Sequence, residues 1–202
     1  VDLYELKLSK AKYSHFEEFP LLTFESTPDK LLHLLIKRLF DIVFSGITLL
    51  ILSPIFATTA IIIKLSSKGP VFFKQQRCSL YGRRFMLYKF RTMVQNAEAK
   101  LNDLLIYNEM DGPVFKMKDD PRVTKIGKFL RKFSIDELPQ FWNVLTGDMS
   151  LVGPRPEVPE YTELYQENEI LIVAMRPGIT DYASVEFADL DDRVGSSNPD
   201  AY

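Results

Sequence analysis

The sequence has almost no cysteine and almost no net charge, and each shortage excludes a class of protein. The single cysteine, Cys78, cannot form an internal disulfide, which fits a reducing compartment. A formal net charge of −2 argues against a general nucleic-acid binder, because such proteins carry a basic excess. The 202 residues are enough for one globular domain with its own core.

One apolar run dominates the first third of the chain. Residues 39–63 are almost unbroken in apolar character over 25 positions, and about 20 suffice to span a bilayer as a helix. The run does not open the chain and has no small-residue cleavage site, which excludes a secretory signal. Ser53 and Pro54 interrupt it just beyond its middle, where proline removes a backbone hydrogen bond and serine can satisfy a freed carbonyl.

Positive residues flank this run at both ends. The flanking cations are Lys37 and Arg38 before it, and Lys64, Lys68, Lys74 and Arg77 after it. Because positive charge marks the cytoplasmic side of a membrane, both ends favour the same face. A helix-break-helix hairpin that enters one leaflet and returns satisfies both observations; a kinked spanning helix and a buried core hairpin are the alternatives. Asp41 is expected at headgroup depth, paired with Arg38 or a lysine.

The stretch at residues 134–156, SIDELPQFWNVLTGDMSLVGPRP, has the richest chemistry. It opens on the adjacent carboxylates Asp136 and Glu137 and closes on Arg155 between two prolines. A capping box of Ser134 and Glu137 explains the acids without any catalysis, with a helix that starts near residues 134–138 and runs through residue 145. The alternative is a site for a metal and a phosphate.

Periodicity and turn residues predict the remaining elements. The predicted helices cover residues 4–19, 94–108, about 122–133 and 160–169, with residues 170–175 a helix end or a strand. Residues 20–24 are predicted as a strand or an extended linker. Strands are predicted over residues 71–77 and 85–93, which form a hairpin, and a turn over residues 176–180. Thr27 and Pro28 predict the start of the first long helix.

Several cations occupy positions that have both an ordinary and a functional explanation. Lys89 and Arg91 lie on one face of the strand predicted over residues 85–93, and basic residues in this pattern are typical of a strand face that is exposed to solvent. Arg122 follows Asp120-Pro121, and Arg131 lies five residues before Asp136; helix-end electrostatics would explain both. The predicted helix over 122–133 also has a basic face, made of Lys125, Lys128, Arg131 and Lys132, that suits anionic headgroups.

Four segments, in order, resemble the bacterial sugar transferases, the monotopic phosphoglycosyl transferases that begin glycoconjugate assembly on a polyprenol phosphate. The segments are KRLFDIVFS at residues 37–45, YKFRTM at 88–93, DELPQxxNVLxGDMSLVGPRP at 136–156 and RPGIT at 176–180. The resemblance covers residues 37–180. The chain departs from it at two places: Ser79 replaces a usual glycine, and Asp181-Tyr182 replaces the Gly-Trp of small family members.

The resemblance implies roles for particular residues. Asp136 would be the nucleophile in a covalent aspartyl-phosphosugar mechanism, and Glu137, with Asp136, would hold Mg²⁺. The donor would be a UDP-sugar, the acceptor a polyprenol phosphate, and UMP would be released. The residues implied to bind substrate or phosphate are Lys89, Arg91, Arg122, Arg131, Arg155 and Arg176.

The resemblance also implies a fold and a location. The expected fold is α+β and helix-rich, with a re-entrant membrane hairpin, a small β-hairpin and amphipathic interfacial helices around the active site. Residues 1–28 would be a linker from a further N-terminal domain, 29–66 the membrane hairpin, and 67–202 a cytosolic catalytic domain truncated at its C-terminus. The protein would contact lipids at the cytoplasmic face of the bacterial inner membrane; homo-oligomerisation is left open. The competing hypothesis is a membrane-anchored scaffold that binds anionic lipid without catalysis.

Overall fold

The computed structural model describes residues 10–16, 19–25, 31–108, 115, 117, 119–163, 165 and 169–181. Over these ranges the chain is α+β, as expected. The helices are α1 (Leu31–Ile51), α2 (Ser53–Ser66), α3 (Leu101–Leu104), α4 (Lys125–Lys132), α5 (Gln140–Thr146) and α6 (Pro159–Thr162). The strands are β1 (Lys10–Phe16), β2 (Phe19–Glu25), β3 (Phe72–Cys78), β4 (Arg84–Phe90), β5 (Ser150–Val152) and β6 (Gly178–Thr180).

The N-terminal region contains a hairpin where a short helix was expected. β1 pairs antiparallel with β2, with Lys10 opposite Glu25 and Phe16 opposite Phe19. The helix prediction for residues 4–19 is therefore wrong over residues 10–16 and at residue 19, whereas residues 20–24, predicted as a strand or an extended linker, form a strand. Helical periodicity in a short mixed segment is a weak signal, and a strand partner three residues away overrides it. The helix start predicted at Thr27 and Pro28 lies outside the described residues.

The predicted break in the apolar run is confirmed. α1 ends at Ile51, α2 begins at Ser53, and the two helices are bent by 59°. Pro54 has no backbone N–H, and the Ser53 hydroxyl donates to the carbonyl of Leu50 at 2.8 Å, which satisfies one acceptor at the break. Among the described residues, neither helix alone has the length and apolarity needed to cross a membrane, whereas the bent pair taken together has both.

Apolar side chains cover the outer faces of α1 and α2. Leu50 is 76% exposed and Leu65 is 83% exposed, although leucine is ordinarily a core residue. α1 also buries two polar side chains, Asp41 and Ser45. An exposed apolar surface of this extent marks a contact with another protein or with a membrane.

The predicted hairpin of β3 and β4 is confirmed, with bounds shifted by a few residues. The two strands are hydrogen-bonded neighbours, and the turn between them places Tyr81 and Gly82 at φ values of 58° and 73°. Ser79 has an extended backbone, with φ −111° and ψ −163°, which serine adopts as easily as glycine. Its hydroxyl donates to the carbonyl of Asp148 at 2.5 Å, so the departure from the family pattern is accommodated locally.

The helix predicted over residues 94–108 is wrong for most of its length. Asn96 has a φ of 63°, which lies outside the right-handed helical region. Only Leu101–Leu104 is α-helical, and a 3₁₀ turn, Leu105–Tyr107, follows it. Asparagine tolerates the left-handed conformation better than most residues, so it interrupts a segment whose leucine spacing favours a helix.

Two C-terminal predictions also need correction. Within the helix predicted over 160–169, α6 ends at Thr162 and Tyr165 is not helical, while residues 164 and 166–168 lie outside the described residues. A 3₁₀ helix, Glu169–Ala174, provides the expected helix end. The turn predicted over 176–180 contains β6, which pairs in parallel with β5. This pairing brings together segments that are distant in sequence, and neither triplet is long enough to show strand periodicity by itself.

The described residues fall into two compact units, of which the first lies within 1–47, 76–87 and 141–202. Its core consists of the buried residues Phe85, Leu87, Val144 and Met149, with Leu151 and Ile179 packed against them. β5 and β6 approach very closely at Gly153 and Gly178: a Cβ added to Gly178 would lie 2.2 Å from the Gly153 nitrogen. Glycine is therefore required for this parallel pair.

Asp41 fastens α1 to β5 inside this first unit, in a group of contacts that we call the Asp41 latch. The carboxylate, which is 3% exposed, accepts hydrogen bonds from the Ser150 hydroxyl at 2.8 Å and from the Leu151 N–H at 3.2 Å. Lys37 lies 3.6 Å from the same carboxylate and also donates to the Ser150 hydroxyl. Arg38, the other expected partner, instead donates to the carbonyl of Val144 at 2.6 Å.

The second unit lies within residues 48–75 and 88–140. Its core contains the buried residues Ile63, Phe90 and Leu130, with Phe56, Val71, Ile126 and Ile135 packed against them. Phe90 anchors this core: its ring centroid lies 5.3 Å from that of Phe56 and 5.3 Å from that of Phe72. α4, predicted as an amphipathic helix, contributes Leu130 to the core and leaves its basic residues exposed.

Candidate active site

The Asp136–Glu137 pair lies in the second unit, on a 3₁₀ turn (Ile135–Glu137) just after α4. The capping box predicted here is wrong, because Ser134 has a φ of 53° and its side chain makes no capping hydrogen bond. Ser134 ends α4 instead: its left-handed backbone donates N–H to the carbonyl of Arg131 at 3.1 Å, as in a helix C-terminal motif. A capping box therefore does not account for the two acids.

Asp136 is only 8% exposed, and its environment alters its ionisation. Burial raises the pKa of the Asp136 carboxyl above its usual value. The positive charge of Lys89 opposes this rise, the negative charge of Glu137 adds to it, and Arg131 opposes it. A carboxylate with little hydration and two cations nearby is well suited to act as a nucleophile toward a phosphate.

Lys89 and Glu137 form a direct ion pair in this unit. The Lys89 Nζ lies 2.6 Å from the Glu137 Oε1, and both side chains are partly exposed. Lys89 lies on β4 next to Phe90, which is 1% exposed and fixed in the core. The strand therefore holds a cation beside both carboxylates, although 47 and 48 residues separate them in sequence from Lys89.

Arg131 lies in the last turn of α4, and its positive charge acts on Asp136. Its side chain is exposed, and its Nε donates to the hydroxyl of Thr92 at 3.0 Å. Thr92 was not singled out from the sequence, although it belongs to the YKFRTM segment. A threonine in that segment offers no signal of a long-range partner, because its hydroxyl could equally bond to the local backbone.

Arg91 is buried and is held by the loop that follows α2. Its Nη2 donates to both the carbonyl and the hydroxyl of Ser67, at 2.9 and 2.8 Å. Among the described residues, its Nε and Nη1 have no hydrogen-bond partner. Gly69, with a φ of 121°, leaves the space that the guanidinium fills, since a Cβ there would lie 2.1 Å from Nη1. Arg91 thus fixes this loop, and a phosphate contact for it stays a prediction.

Arg122 is paired with its near neighbour in sequence. Its Nε lies 2.9 Å from Oδ1 of Asp120 and its Nη2 lies 2.7 Å from Oδ2, a two-point ion pair in which both side chains are buried. The hydrogen bonds from Arg122 hold the pKa of the Asp120 carboxyl below its usual value. The Asp-Pro-Arg sequence could have indicated this pairing, because a turn at Pro121 brings the side chains of Asp120 and Arg122 together.

Arg155 lies in the first unit, on a loop in which the carbonyls of the residues before and after it both accept hydrogen bonds. The carbonyl of Pro154 accepts from the N–H of Gly178 at 2.9 Å, and that of Pro156 accepts from Nη1 of Arg77 at 3.0 Å. Arg155 itself is exposed between the two prolines. The loop is thus held from both sides while its cation remains open to solvent, as a residue that binds a soluble anion would need.

Arg176 lies in the same unit, just before β6. It is half-buried, and its Nε has no hydrogen-bond partner among the described residues. Burial lowers the pKa of Arg176, and the positive charge of Arg38 lowers it further, whereas Asp41 acts in the opposite sense. An incompletely paired, partly buried guanidinium has a strong affinity for an anion, so a phosphate contact for Arg176 stays a prediction.

The carboxylates of Asp136 and Glu137 fit a magnesium ion that is shared with a substrate. In the described part of the chain, no three His, Cys, Asp or Glu residues cluster closely enough to form a metal site made of protein alone. Mg²⁺ is commonly held by one or two carboxylates together with substrate phosphates and waters, so the observed pair is a sufficient donor set. It is unlike the three- or four-ligand sites that zinc requires.

Comparison with known proteins places the chain in a family. The sequence profile described as bacterial sugar transferase matches residues 32–197. A galactosyl transferase of Streptococcus agalactiae is 45% identical over 175 residues, which cover 86% of this chain and 38% of that protein.

Two further relatives carry more detailed descriptions. The UDP-glucose:undecaprenyl-phosphate glucose-1-phosphate transferase of Escherichia coli is 37% identical, over 91% of this chain and 38% of that protein. The UDP-N-acetylgalactosamine-undecaprenyl-phosphate N-acetylgalactosaminephosphotransferase of Aeromonas hydrophila is 40% identical, over 93% and 43%. The chain thus spans less than half the length of these three relatives, and their descriptions name three different sugars.

Proposed function

Because this chain belongs to the bacterial sugar transferase family, we propose that it moves a sugar 1-phosphate from a UDP-sugar to a membrane polyprenol phosphate and so starts the synthesis of a polysaccharide. The observation that carries the proposal is the buried carboxylate of Asp136, placed beside Glu137, Lys89 and Arg131. Two relatives are described as transferring a sugar phosphate to undecaprenyl phosphate, which supports the same reaction class here.

The reaction proceeds by two displacements at one phosphorus. First, a carboxylate oxygen of Asp136 bonds to the β-phosphorus of the UDP-sugar, the bond from that phosphorus to the bridging oxygen breaks, and UMP leaves. Second, a phosphate oxygen of the polyprenol phosphate bonds to the same phosphorus, and the bond to Asp136 breaks. The products are the polyprenol diphosphate sugar and the regenerated carboxylate. Lys89 and Arg131 neutralise phosphate oxygens during both steps.

Magnesium is the proposed cofactor. Glu137 and Asp136 would hold it, and it would supply charge neutralisation to the diphosphate of the donor. Lys89 holds the Glu137 carboxylate in place through their 2.6 Å ion pair. Burial keeps water away from Asp136, so hydrolysis competes less with transfer to the lipid.

The site operates at the cytoplasmic face of the bacterial inner membrane, with α1 and α2 as a re-entrant hairpin. A polyprenol chain cannot leave the bilayer easily, because exposing each CH₂ costs about 0.8 kcal/mol. The exposed apolar faces of α1 and α2, and their break at Ser53-Pro54, support a monotopic insertion. α4 supports this insertion too. Its Phe129 is 56% exposed, and each exposed basic residue of the helix contributes about 1 kcal/mol of binding free energy near anionic lipid.

The proposal is tested by UMP release from the whole protein in detergent, with Mg²⁺, polyprenol phosphate and a panel of UDP-sugars. Because the relatives name different sugars, the panel contains UDP-glucose, UDP-galactose and UDP-N-acetylgalactosamine. Asp136→Asn should abolish release with unchanged folding. Asp119→Asn is the matched control: it makes the same chemical change at an 82% exposed carboxylate, and activity should persist.

The covalent step has its own test. Incubation with donor and no polyprenol phosphate should give at most one UMP per protein and a protein whose mass increases by one sugar phosphate. The same treatment of Asp136→Asn should give neither. A protein that releases no UMP with any sugar, yet still binds anionic vesicles, would favour the lipid-binding scaffold instead.

A further inference from the structure

We propose that Thr92 is a positioning residue, whose hydroxyl holds the Arg131 guanidinium in place beside the Asp136–Glu137 pair. The inference rests on the proposed function, because it concerns how that site is organised. Among the described residues, Thr92 makes no hydrogen bond to Asp136 or Glu137. It acts through Arg131, whose Nε it binds at 3.0 Å.

The backbone of Thr92 is clamped by the start of α4. Its carbonyl accepts hydrogen bonds from the Thr124 N–H at 2.9 Å and from the Thr124 hydroxyl at 3.2 Å. Thr124 also caps the helix, since its hydroxyl accepts from the N–H of Gly127 at 2.9 Å. The fit is close: a Cβ added to Gly127 would lie 1.9 Å from the Thr92 carbonyl oxygen. Thr92 is therefore fixed against α4, and only 6% of its surface is exposed.

The side chain of Thr92 then holds the other end of the same helix. Arg131 lies seven residues after Thr124, which is about two helical turns and places both residues on one face of α4. The carbonyl and the hydroxyl of one buried residue thus contact the first and the last turn of an eight-residue helix. This double contact sets the position of Arg131 relative to the turn that follows the helix, which carries Asp136 and Glu137.

The bond through Nε has a chemical consequence. An exposed arginine samples many rotamers, so by itself it is a poor partner for a reaction that needs a fixed geometry. Thr92 occupies the Nε donor, which leaves the two Nη groups of Arg131 as donors for phosphate oxygens. Lys89 on β4 and the two acids are neighbouring charged groups, and the charge of Arg131 also acts on Asp120, which is already paired with Arg122. Arg131 thus joins Lys89 as a second cation beside the acids.

Two substitutions separate the hydroxyl from the rest of Thr92. Thr92→Val keeps the shape and the clamped carbonyl but removes the acceptor, and Thr92→Ser keeps the acceptor. We expect Thr92→Val to lower kcat for UMP release about 10-fold with less than about a twofold change in KM, because a misplaced guanidinium acts mainly in the transition state. Thr92→Ser should remain within about twofold of wild type on the same basis.

A double-mutant cycle with Arg131→Lys tests whether Thr92 acts through Arg131. Lysine has no Nε–H, so adding Thr92→Val to Arg131→Lys should cause no further loss of kcat. Thr124→Ala, which weakens the helix cap, is the structural control. It should lower the Tm, and any loss of kcat that it causes should add to the loss caused by Arg131→Lys. Additive losses for Thr92→Val and Arg131→Lys would overturn the inference.

The remaining outcomes are equally decisive. If Arg131→Lys turns over too slowly to measure, the comparison of valine with serine decides, and equal rates for Thr92→Val and Thr92→Ser overturn the inference. Wild-type rates in Thr92→Val would do the same. A wild-type protein that releases no UMP overturns the proposed function, and the inference with it. If the wild-type protein is active and Thr92→Val does not change its rate, the inference is overturned and the proposed function stands.

Discussion

Replacing Asp41 by Asn should destabilise the first unit far more than the same replacement at an exposed aspartate. The Asp41 carboxylate is 3% exposed and accepts hydrogen bonds from Ser150 and Leu151, with Lys37 at 3.6 Å. Asn keeps one oxygen but turns an NH₂ group toward donors. A hydrogen bond to a charged group contributes about 1.5–3 kcal/mol, and an unsatisfied buried donor costs about 1–3 kcal/mol. We expect a loss of about 2–3 kcal/mol in the free energy of unfolding.

The assay is thermal unfolding in detergent, in the same micelle for every variant. For a chain of this size each kcal/mol moves the Tm by about 2–4 °C, so Asp41→Asn should lower it by roughly 4–12 °C. Asp119→Asn is the control, because its carboxylate is 82% exposed and its pairing with Lys128 contributes about 0–1 kcal/mol. Equal Tm losses for both variants would refute the reasoning that burial makes the Asp41 latch strong.

A second variant checks that the loss comes from the latch itself. Ser150→Ala removes one donor to the Asp41 carboxylate and one acceptor of Lys37. Because both residues belong to one network, the double variant Asp41→Asn/Ser150→Ala should lose less stability than the two single losses added together. Full additivity would mean that the Asp41 effect arises elsewhere.

Two further predictions concern residues of the second unit, and Gly46, in the first unit, is the control for one of them. Gly127→Ala should lower the free energy of unfolding by about 1–3 kcal/mol, because the added Cβ would lie 1.9 Å from the Thr92 carbonyl oxygen. Gly46→Ala, whose Cβ would have no atom within 4 Å, should leave the stability of α1 unchanged or raise it by up to about 1 kcal/mol. A lower Tm for Gly46→Ala than for Gly127→Ala would contradict this. The buried pair of Asp120 with Arg122, in which the pKa of Asp120 is lowered, should contribute stability above the unfolded-state pKa of about 3.9 and lose it as the pH falls further. Asp120→Asn should therefore flatten the acid end of the unfolding profile, and an equally steep profile would contradict the pairing.

The sequence predicted well where local chemistry decides the structure. The break at Ser53-Pro54 needs only the missing proline N–H and the serine hydroxyl, and it forms as expected. The hairpin of β3 and β4 follows from alternation and an adjacent turn, and α4 follows from its amphipathic spacing. Each of these signals lies within one element or between neighbours in the chain.

Predictions failed where a contact distant in sequence, or one backbone angle, overrides local preference. Residues 178–180 form a strand only because β5 provides hydrogen-bonding partners for them. Ser134 matches a helix N-cap by composition, yet it ends the preceding helix, since its left-handed φ of 53° directs its N–H back to Arg131. Serine and asparagine suit both helix starts and left-handed helix ends, so residue type alone could not separate the two.

The cations predicted to bind phosphate also show what sequence leaves open. A motif gives the number of positive charges, but the charge available to a ligand depends on which partner each cation already has. Asp120 takes both edges of Arg122, and Ser67 and Gly69 enclose Arg91, whereas Arg131 gives up only its Nε to Thr92. Arg91 keeps two N–H groups that have no partner among the described residues, but its side chain is buried. Lys89 and Arg131 are the cations of the second unit whose charge favours ionised Asp136 and whose side chains are at least partly exposed. This argument ranks them above Arg91 and Arg122 for transferring charge to a phosphate, a ranking that a count of basic residues cannot supply.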